Sequence, residues 1–492
     1  MDGRAPFLGS VEIMGERVNA IVPASEAAPR LSRASEVIEC GGRLLLPGFV
    51  DAHMHLLSAA AALAGVDCSA SAAPSIEAIL ERLRESARDL PPGAWVRARG
   101  YHEAMLAEAR HPTRGELDRA VPANPVRLIH ASGHASVLNT AALTAVGIGS
   151  ASEEPPGAGI DREGAAGEPS GLLIEMEDWL DQRIPSPRRD AMPALVERLG
   201  SRLLAAGVTS VQDLGHRNDR QRAAFFSGLI AGRRFRPRLT LATGYDAFAA
   251  GEAAEAPGIA AGPVKIMLNE SGGKLVPSVE RLGEMVHAVH AAGRQVAIHA
   301  IEARAVAAAL DVIEAAQRLR PRSGHRHRVE HASITPQALA ERMAGLGVVA
   351  VSNPAFLWQN GDRYLRTVPP CALPNLYDIA GLRRAGVRVA AGSDAPVAPP
   401  EPLLGIVAAC TRLTASGRSL PGETLAFERA AELFTRGAAY AGFREHEAGE
   451  IAPGRLADLV LLDGDARDPR SLRVRLTMLS GQIVWKAPEC SM

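Results

Sequence analysis

The chain has 492 residues, a formal net charge of −1 at pH 7 and 47% hydrophobic residues. That length exceeds what one small core organises, so a large domain with satellites or an insertion is expected. The balanced charge, with basic residues scattered rather than blocked, excludes the basic surface of a nucleic-acid-binding protein.

The N-terminal stretch "MDGRAPFLGSVEIMGERVNAIVP" has no basic segment followed by an uninterrupted apolar one, so no secretory signal is expected. "LLSAAAALAG" at 56–65 is too short to span a bilayer, and no membrane partner is expected. Cys40, Cys68, Cys371, Cys410 and Cys490 lie far apart with no C-x-x-C pair, which predicts free thiols and a cytoplasmic location.

Short alternating strands with turn residues occupy both ends, in "LGSVEIMGERVNAIVP" and in "GEIAPGRLADLVLLDGD…LTMLSGQIVW". They predict one small β-sandwich-like domain built from residues 1–46 and 447–492. Between them, residues 47–446 alternate strand-like and helical runs. The strands are "GFVDAHMH" (48–55), "VTSVQDL" (208–214), "RLTLATG" (238–244), "VKIML" (264–268), "QVAIH" (295–299), "RVEHA" (328–332), "VVAVS" (348–352) and "VRVAAGSD" (387–394). Amphipathic segments such as 278–292 and 304–319 separate most of them. Eight strands with helical crossovers predict an α/β fold, a parallel (β/α)8 TIM barrel. The long gap after the first strand, about 57–205, predicts an inserted subdomain on the first βα loop. It contains the runs "AWVRARG" and "PVRLIHAS" and a Gly/Pro-rich stretch at 152–171.

The strand ends carry the chemistry. His53 and His55 close the first strand with both side chains on one face, because strand side chains repeat every second residue. Lys265 lies in the fourth strand, His299 ends the fifth, His331 ends the sixth and Asp394 ends the eighth. Strand ends of a parallel barrel point to one mouth, and imidazoles with carboxylates suit Zn²⁺ or a similar divalent ion. Lys265 is one of only three lysines among 54 basic residues. An ammonium has no lone pair for a metal, but an amine that reacts with carbon dioxide becomes an anion able to bridge two ions. The competing reading is a lysine that buries its stem along a strand edge.

The segments "LPGFVDAHMHL", "VKI", "VAIHAIEARAV", "RVEHA" and "AAGSDAPV" resemble the amidohydrolase superfamily. "GELDRAVPANPVRLIHASGHASVLNTAAL", "SGLLIE" and "GVTSVQDLG" are similar to its YtcJ-like branch, amidohydrolase family 3, which includes N-substituted formamide deformylases. The resemblance implies one metal held by His53, His55 and Asp394. It implies a second held by His299 and His331, with carboxylated Lys265 bridging; the ions would be two Zn²⁺, with Mn²⁺ or Fe²⁺ tolerated by the same ligands. It further implies hydrolysis of a C–N bond of a small amide, formamide or cyclic amide by a metal-activated hydroxide, with Asp394 as general base and then acid. His134, in "SGHASVLN", matches a histidine expected to face substrate and to stabilise an oxyanion; the alternative is a histidine bonded within the insertion. Tyr101, Asn353 and Arg363 complete the expected substrate-binding set. The implied partner is a small-molecule substrate, with a homodimer as the expected assembly.

The chain departs from the family pattern at three places. Glu302, three residues after His299, either caps the next helix, where the dipole favours acids, or shuttles protons as in mononuclear deaminases of heterocyclic amines. The run Asn269, Glu270, Ser271, Gly272 replaces the usual acidic-Gly pair after the strand-4 lysine. Asn353 stands where a glutamine is common, and Trp358, Arg363 and Tyr364 after it read either as pocket walls or as loop filler.

Overall fold

A computed structural model describes residues 7–70, 72–155, 157–185, 191–271 and 273–488. The chain forms two compact units, one of residues 1–56 with 197–492 and one of residues 57–196.

The larger unit is the α/β barrel. Its parallel strands are β1 (Phe49–Met54), β2 (Val208–Asp213), β3 (Arg238–Gly244), β4 (Ile259–Met267), β5 (Val296–Ala300), β6 (Arg328–His331), β7 (Val349–Ser352) and β8 (Arg388–Ala391). They hydrogen-bond in sequence order from β1 to β8. Every residue of β1, β5, β6 and β7 is buried, as strands covered on both faces must be. The eight strands expected from the sequence are these eight.

The ring is nearly closed. Beyond the strand ends, the Asp394 N–H donates to the His53 carbonyl at 2.7 Å and the His55 N–H to the Ala395 carbonyl at 2.9 Å. These bonds seam β8 to β1 at the positions of three candidate ligands. Helices cross over between strands, and their starts are chemically specified: the Ser278 hydroxyl accepts from Arg281 N–H at the start of Val279–Ala291, for example.

The chain ends meet beside this ring. Leu44–Pro47 pairs antiparallel with Leu459–Asp463, which continues to Arg473–Leu479 and Gln482–Lys486 in one four-stranded sheet. The hairpin Gly9–Met14/Arg17–Pro23 is a separate two-stranded sheet. Backbone bonds such as Val18 N–H to the Arg455 carbonyl at 2.9 Å tie it to the C-terminal segment. Buried Asp458 anchors the four-stranded sheet to the barrel by a two-point ion pair with Arg238 (2.6 and 3.1 Å).

The smaller unit is built on a six-stranded mixed sheet with its own apolar cores. The parallel strands Val96–Tyr101 and Val126–His130 match the two expected runs. The antiparallel pair Gly159–Glu163 and Glu168–Ile174 begins in the Gly/Pro-rich stretch and runs three residues past it. Asn139 pins this sheet: its Oδ1 accepts from Val126 and Ala142 N–H, both at 2.9 Å, and its Nδ2 donates to the Val121 and Asn124 carbonyls. Among the described residues no helix is long and apolar enough to cross a membrane. Cys40, Cys68, Cys371 and Cys410 are unpaired, and Cys490 lies outside the described residues.

The seam leaves no room for a side chain at Gly392, where a Cβ would sit 2.4 Å from the His53 nitrogen and 2.7 Å from its oxygen. Gly392→Ala should therefore lower stability by about 1–3 kcal/mol through overpacking. Urea unfolding of the metal-free protein measures this, and an unchanged midpoint would refute the seam as a tight contact.

Candidate active site

His53, on β1, is fully buried and its Nδ1 lies 2.6 Å from Oε2 of Glu330 on β6. A carboxylate accepts only, so Nδ1 carries the proton and Nε2 is left with its lone pair. That Nε2 faces Oδ1 of Asp394 at 3.5 Å, and Nε2 of His55 approaches the same oxygen at 3.1 Å. Neither His53 Nε2 nor Asp394 Oδ1 has a hydrogen-bond partner. Two acceptors facing each other in a buried place repel unless a cation lies between them.

His331 and His299 form the other half. The Asn353 amide donates to the Gly392 carbonyl at 3.0 Å, so its Oδ1 is what meets His331 Nδ1 at 2.8 Å. Asn353 thereby fixes the His331 ring with Nε2 turned to His299 Nδ1, 2.9 Å away. The His53 and His331 ring centres are 4.9 Å apart, and those of His299 and His331 4.5 Å.

Lys265, on β4, is buried, and its Nζ has no hydrogen-bond partner. Burial pushes its pKa down to about 8, against the pull of the Glu330 and Asp394 charges. Burial, with the charge of Lys265, holds His53 well below the ordinary imidazole range, and burial lowers His331 likewise. For Asp394, burial opposes ionisation, but the imidazoles around it, the His55 contact foremost, outweigh it and keep the carboxyl ionised.

These residues fit divalent metal ions. A tetrahedral zinc site with bonds near 2.0–2.2 Å sets ligand atoms about 3.3–3.6 Å apart. The 3.1 and 3.5 Å approaches around Asp394 Oδ1 are of that size, and imidazole with carboxylate is the donor set such ions take. His53, His55 and Asp394 form one group of ligand atoms within 4.8 Å of one another.

A model of the amidohydrolase family matches residues 36–485. The chain belongs to the amidohydrolase family. It is 31% identical to the N-substituted formamide deformylase of Arthrobacter pascens, over 98% of this chain and 95% of that protein. It is 29% identical to the YtcJ protein of Bacillus subtilis (strain 168), over 92% and 91% of the two chains. An uncharacterized metal-dependent hydrolase from Pyrococcus horikoshii OT3 shares the fold, with a TM-score of 0.71 at 22% identity over 93% of each chain. This amidohydrolase is thus a hydrolase acting on carbon–nitrogen bonds.

Glu302 is exposed at the N-cap of the helix Ala303–Leu319. Arg363, on the helix Ala355–Thr367, stacks its guanidinium 4.6 Å from the centre of the Tyr364 ring. Trp358 and Tyr364 pack in an apolar cluster with Phe356 and Tyr377. In the smaller unit, His134 is part-exposed with Nδ1 3.1 Å from Glu175 Oε2. Tyr101 there is fully buried, its hydroxyl 2.9 Å from His111 Nδ1.

The residues that sequence reasoning passed over are Arg328, Glu330 and Asp51. Arg328 and Glu330, both without solvent access, pair through Nε–Oε1 at 2.7 Å and Nη2–Oε2 at 2.9 Å. Their signal was present in "RVEHA": two charges spaced by two in a strand with no exposed face. Asp51 Oδ1 accepts from the N–H groups of His53 (3.1 Å) and Ser393 (3.0 Å), a second tie across the β1–β8 seam.

Glu330→Gln preserves shape but removes the charge that holds the His53 tautomer. Metal affinity should fall roughly 10–100-fold, the usual effect of losing a group that orients a ligand. Competition with a chromophoric chelator measures it, and an unchanged affinity would remove Glu330 from this role.

Proposed function

We propose that this amidohydrolase releases an amine from a small N-formyl, N-acyl or cyclic amide. It does so with two divalent ions, Zn²⁺ by preference, held by His53, His55, His299, His331, Asp394 and a carboxylated Lys265. The observation that carries the reading is the set of unpartnered buried polar atoms, Lys265 Nζ, His53 Nε2 and Asp394 Oδ1, within one histidine-lined site. The likeness to a formamide deformylase supports the substrate class. When bound, such ions supply Lewis acidity toward the carbonyl and a water acidified toward about neutral pH.

The chain's own residues account for the rest. A lysine amine in its neutral form attacks carbon dioxide: an N–C bond forms, one proton leaves, and the product is an anion with two oxygens where an ammonium stood. Burial favours this step, because it lowers the proton affinity of Lys265. Asp394, held ionised, accepts a proton on its carboxylate as water attacks and delivers it to the leaving nitrogen. An amine nitrogen is a far stronger base than a carboxylate, so that second transfer runs downhill. His53 and His331 stay neutral because burial disfavours their charge, so their lone pairs remain available to the ions.

Asp394→Asn should lower kcat by about 10²–10⁴-fold, the worth of a positioned acid–base group, in an assay of amine release from a panel of N-formyl, N-acyl and cyclic amides. Intact-mass measurement should find one carbon dioxide adduct, absent in Lys265→Ala. Full activity of metal-free, unmodified protein would overturn the reading. Because the neutral amine gains as pH rises through about 8, reactivation of metal-free protein by zinc at a fixed concentration of dissolved carbon dioxide should be faster at pH 8.5 than at pH 6.5 by roughly tenfold or more. A flat dependence would count against a reactive amine.

A further inference from the structure

The helix Ala355–Thr367, which follows β7, carries two buried polar atoms that have no partner. Gln359 Nε2 lies 2.8 Å from the Val397 carbonyl, and because a carbonyl only accepts, this contact fixes which end of the amide is nitrogen. Gln359 Oε1 is therefore an acceptor, buried without a donor. Four residues on, and so on the same helical face, Arg363 Nε is a buried donor without an acceptor. Among the described residues no carboxylate pairs with the part-buried Arg363 guanidinium, which stacks on the Tyr364 ring 4.6 Å from its centre. The geometry points to Arg363 and Gln359 as the seat of a substrate carboxylate and its neighbouring N–H, which makes the substrates N-formyl or N-acyl amino acids.

Two sets of contacts bring this helical face to the candidate centre. On one side, the Val397 that Gln359 holds closes a turn onto Asp394, its N–H donating to the Asp394 carbonyl at 2.8 Å. On the other, Tyr364 packs on Tyr377 with ring centres 6.1 Å apart. The Tyr377 N–H donates at 2.7 Å to the carbonyl of Ser333, two residues beyond His331. Burial foremost raises the pKa of the Tyr377 hydroxyl, and the Asp394 charge adds to the shift, as expected of a ring close to that carboxylate.

The support is fixed from behind. Buried Arg412 donates to the Leu376 and Tyr377 carbonyls at 2.9 and 3.0 Å and so holds the segment on which Tyr364 rests. Asn353, just before the helix, is bound to His331 and to the Gly392 carbonyl. One helix thus orients a candidate metal ligand at its start and presents Gln359 and Arg363 further along.

The chemistry of the pair selects the ligand. A guanidinium is a planar fork that matches the two oxygens of a carboxylate. An amide oxygen repels an anion but accepts an N–H, and an acylated amino acid offers both groups, its amide N–H one carbon from its carboxylate. In the proposed reaction Asp394 delivers its proton to the leaving nitrogen, so the amine half of the substrate lies on the Asp394 side, where this helical face is. The carboxylate then belongs to the amine half, and the product is a free amino acid. That choice of halves rests on the proposed hydrolysis; the carboxylate seat does not. The apolar cluster of Phe356, Trp358, Leu365 and Tyr377 suits an apolar side chain on that amino acid.

The test measures binding apart from turnover. Zinc-supplemented full-length protein is titrated by calorimetry with N-(methylsulfonyl)phenylalanine, which has the N–H and the carboxylate but no hydrolysable carbonyl, and with its carboxamide. The acid should bind roughly 10–100-fold more tightly, the worth of hydrogen bonds to a charged group. Arg363→Met should bring that ratio to about threefold or less with far-UV circular dichroism unchanged, and Arg363→Lys, which keeps the charge, should retain part of it. In amine-release assays kcat/KM should favour N-formyl-phenylalanine over its carboxamide by a similar factor. Equal binding of acid and carboxamide, or a preference that survives Arg363→Met, would overturn the carboxylate seat. Efficient amine release from uncharged amides alone would also overturn it while leaving the hydrolytic reading intact, so the two readings fail separately.

Discussion

Glu330 is a carboxylate without access to water, and Arg328, two residues earlier on the same strand, neutralises it through two N–H groups. Removing two charges from solvent is costly, and their attraction offsets that only if the remaining donors and acceptors are also satisfied. Arg328 gives two further N–H groups to Gln212 Oε1 on β2 (2.6 Å) and the Ala52 carbonyl on β1 (2.8 Å), and Glu330 Oε2 accepts the His53 Nδ1–H. The pair thus ties β6 to β1 and β2 across the barrel interior. It also decides which His53 nitrogen is free, so a structural ion pair sets the chemistry of the first ligand.

The same economy governs the backbone. His331, Ala332 and Asp394 have φ values of 68°, 45° and 56°, a left-handed region that non-glycine residues seldom occupy. Such conformations cost on the order of 1–3 kcal/mol each and persist where surrounding bonds over-determine them. Here the bonds are visible: Asn353 on His331, the Asp394 N–H on His53, and Asp51 on Ser393 and His53. The Asp394 N–H bond that helps hold it is one of those that close the ring.

How far the sequence foretold this depends on the kind of signal. Eight β-branched runs separated by helical periodicity specify a barrel because local pattern and global fold agree there. The candidate ligands were legible because strand ends converge in such a barrel whatever their sequence separation. Their supports were not. Nothing in the order of residues says that Asn353 meets His331 or that Glu330 meets His53, 277 positions away, because those contacts depend on side-chain direction across the barrel. Leu44–Pro47 was passed over for a related reason. A four-residue apolar run carries no periodicity of its own, and only its partner Leu459–Asp463 makes it a strand. The pair of strands over 159–174 was hidden by glycines and prolines in and around it.

The lysines give the last constraint. Lys274 and Lys486 are exposed, where arginine would serve as well, whereas Lys265 is buried with no partner for its nitrogen. In a chain that writes nearly every cation as arginine, a buried arginine at 265 would bring five N–H donors and a charge that proteins do not remove. The imidazoles of His53 and His331 and an ionised Asp394 act on this place, and Arg328 already supplies the cation that Glu330 requires. A second fixed positive charge would compete with metal for the same ligands. A primary amine alone can shed its proton there and, in the proposed reaction, return as an anion. Under that proposal the residue type at 265 is set by a change of charge, a demand that packing or ion pairing would not impose.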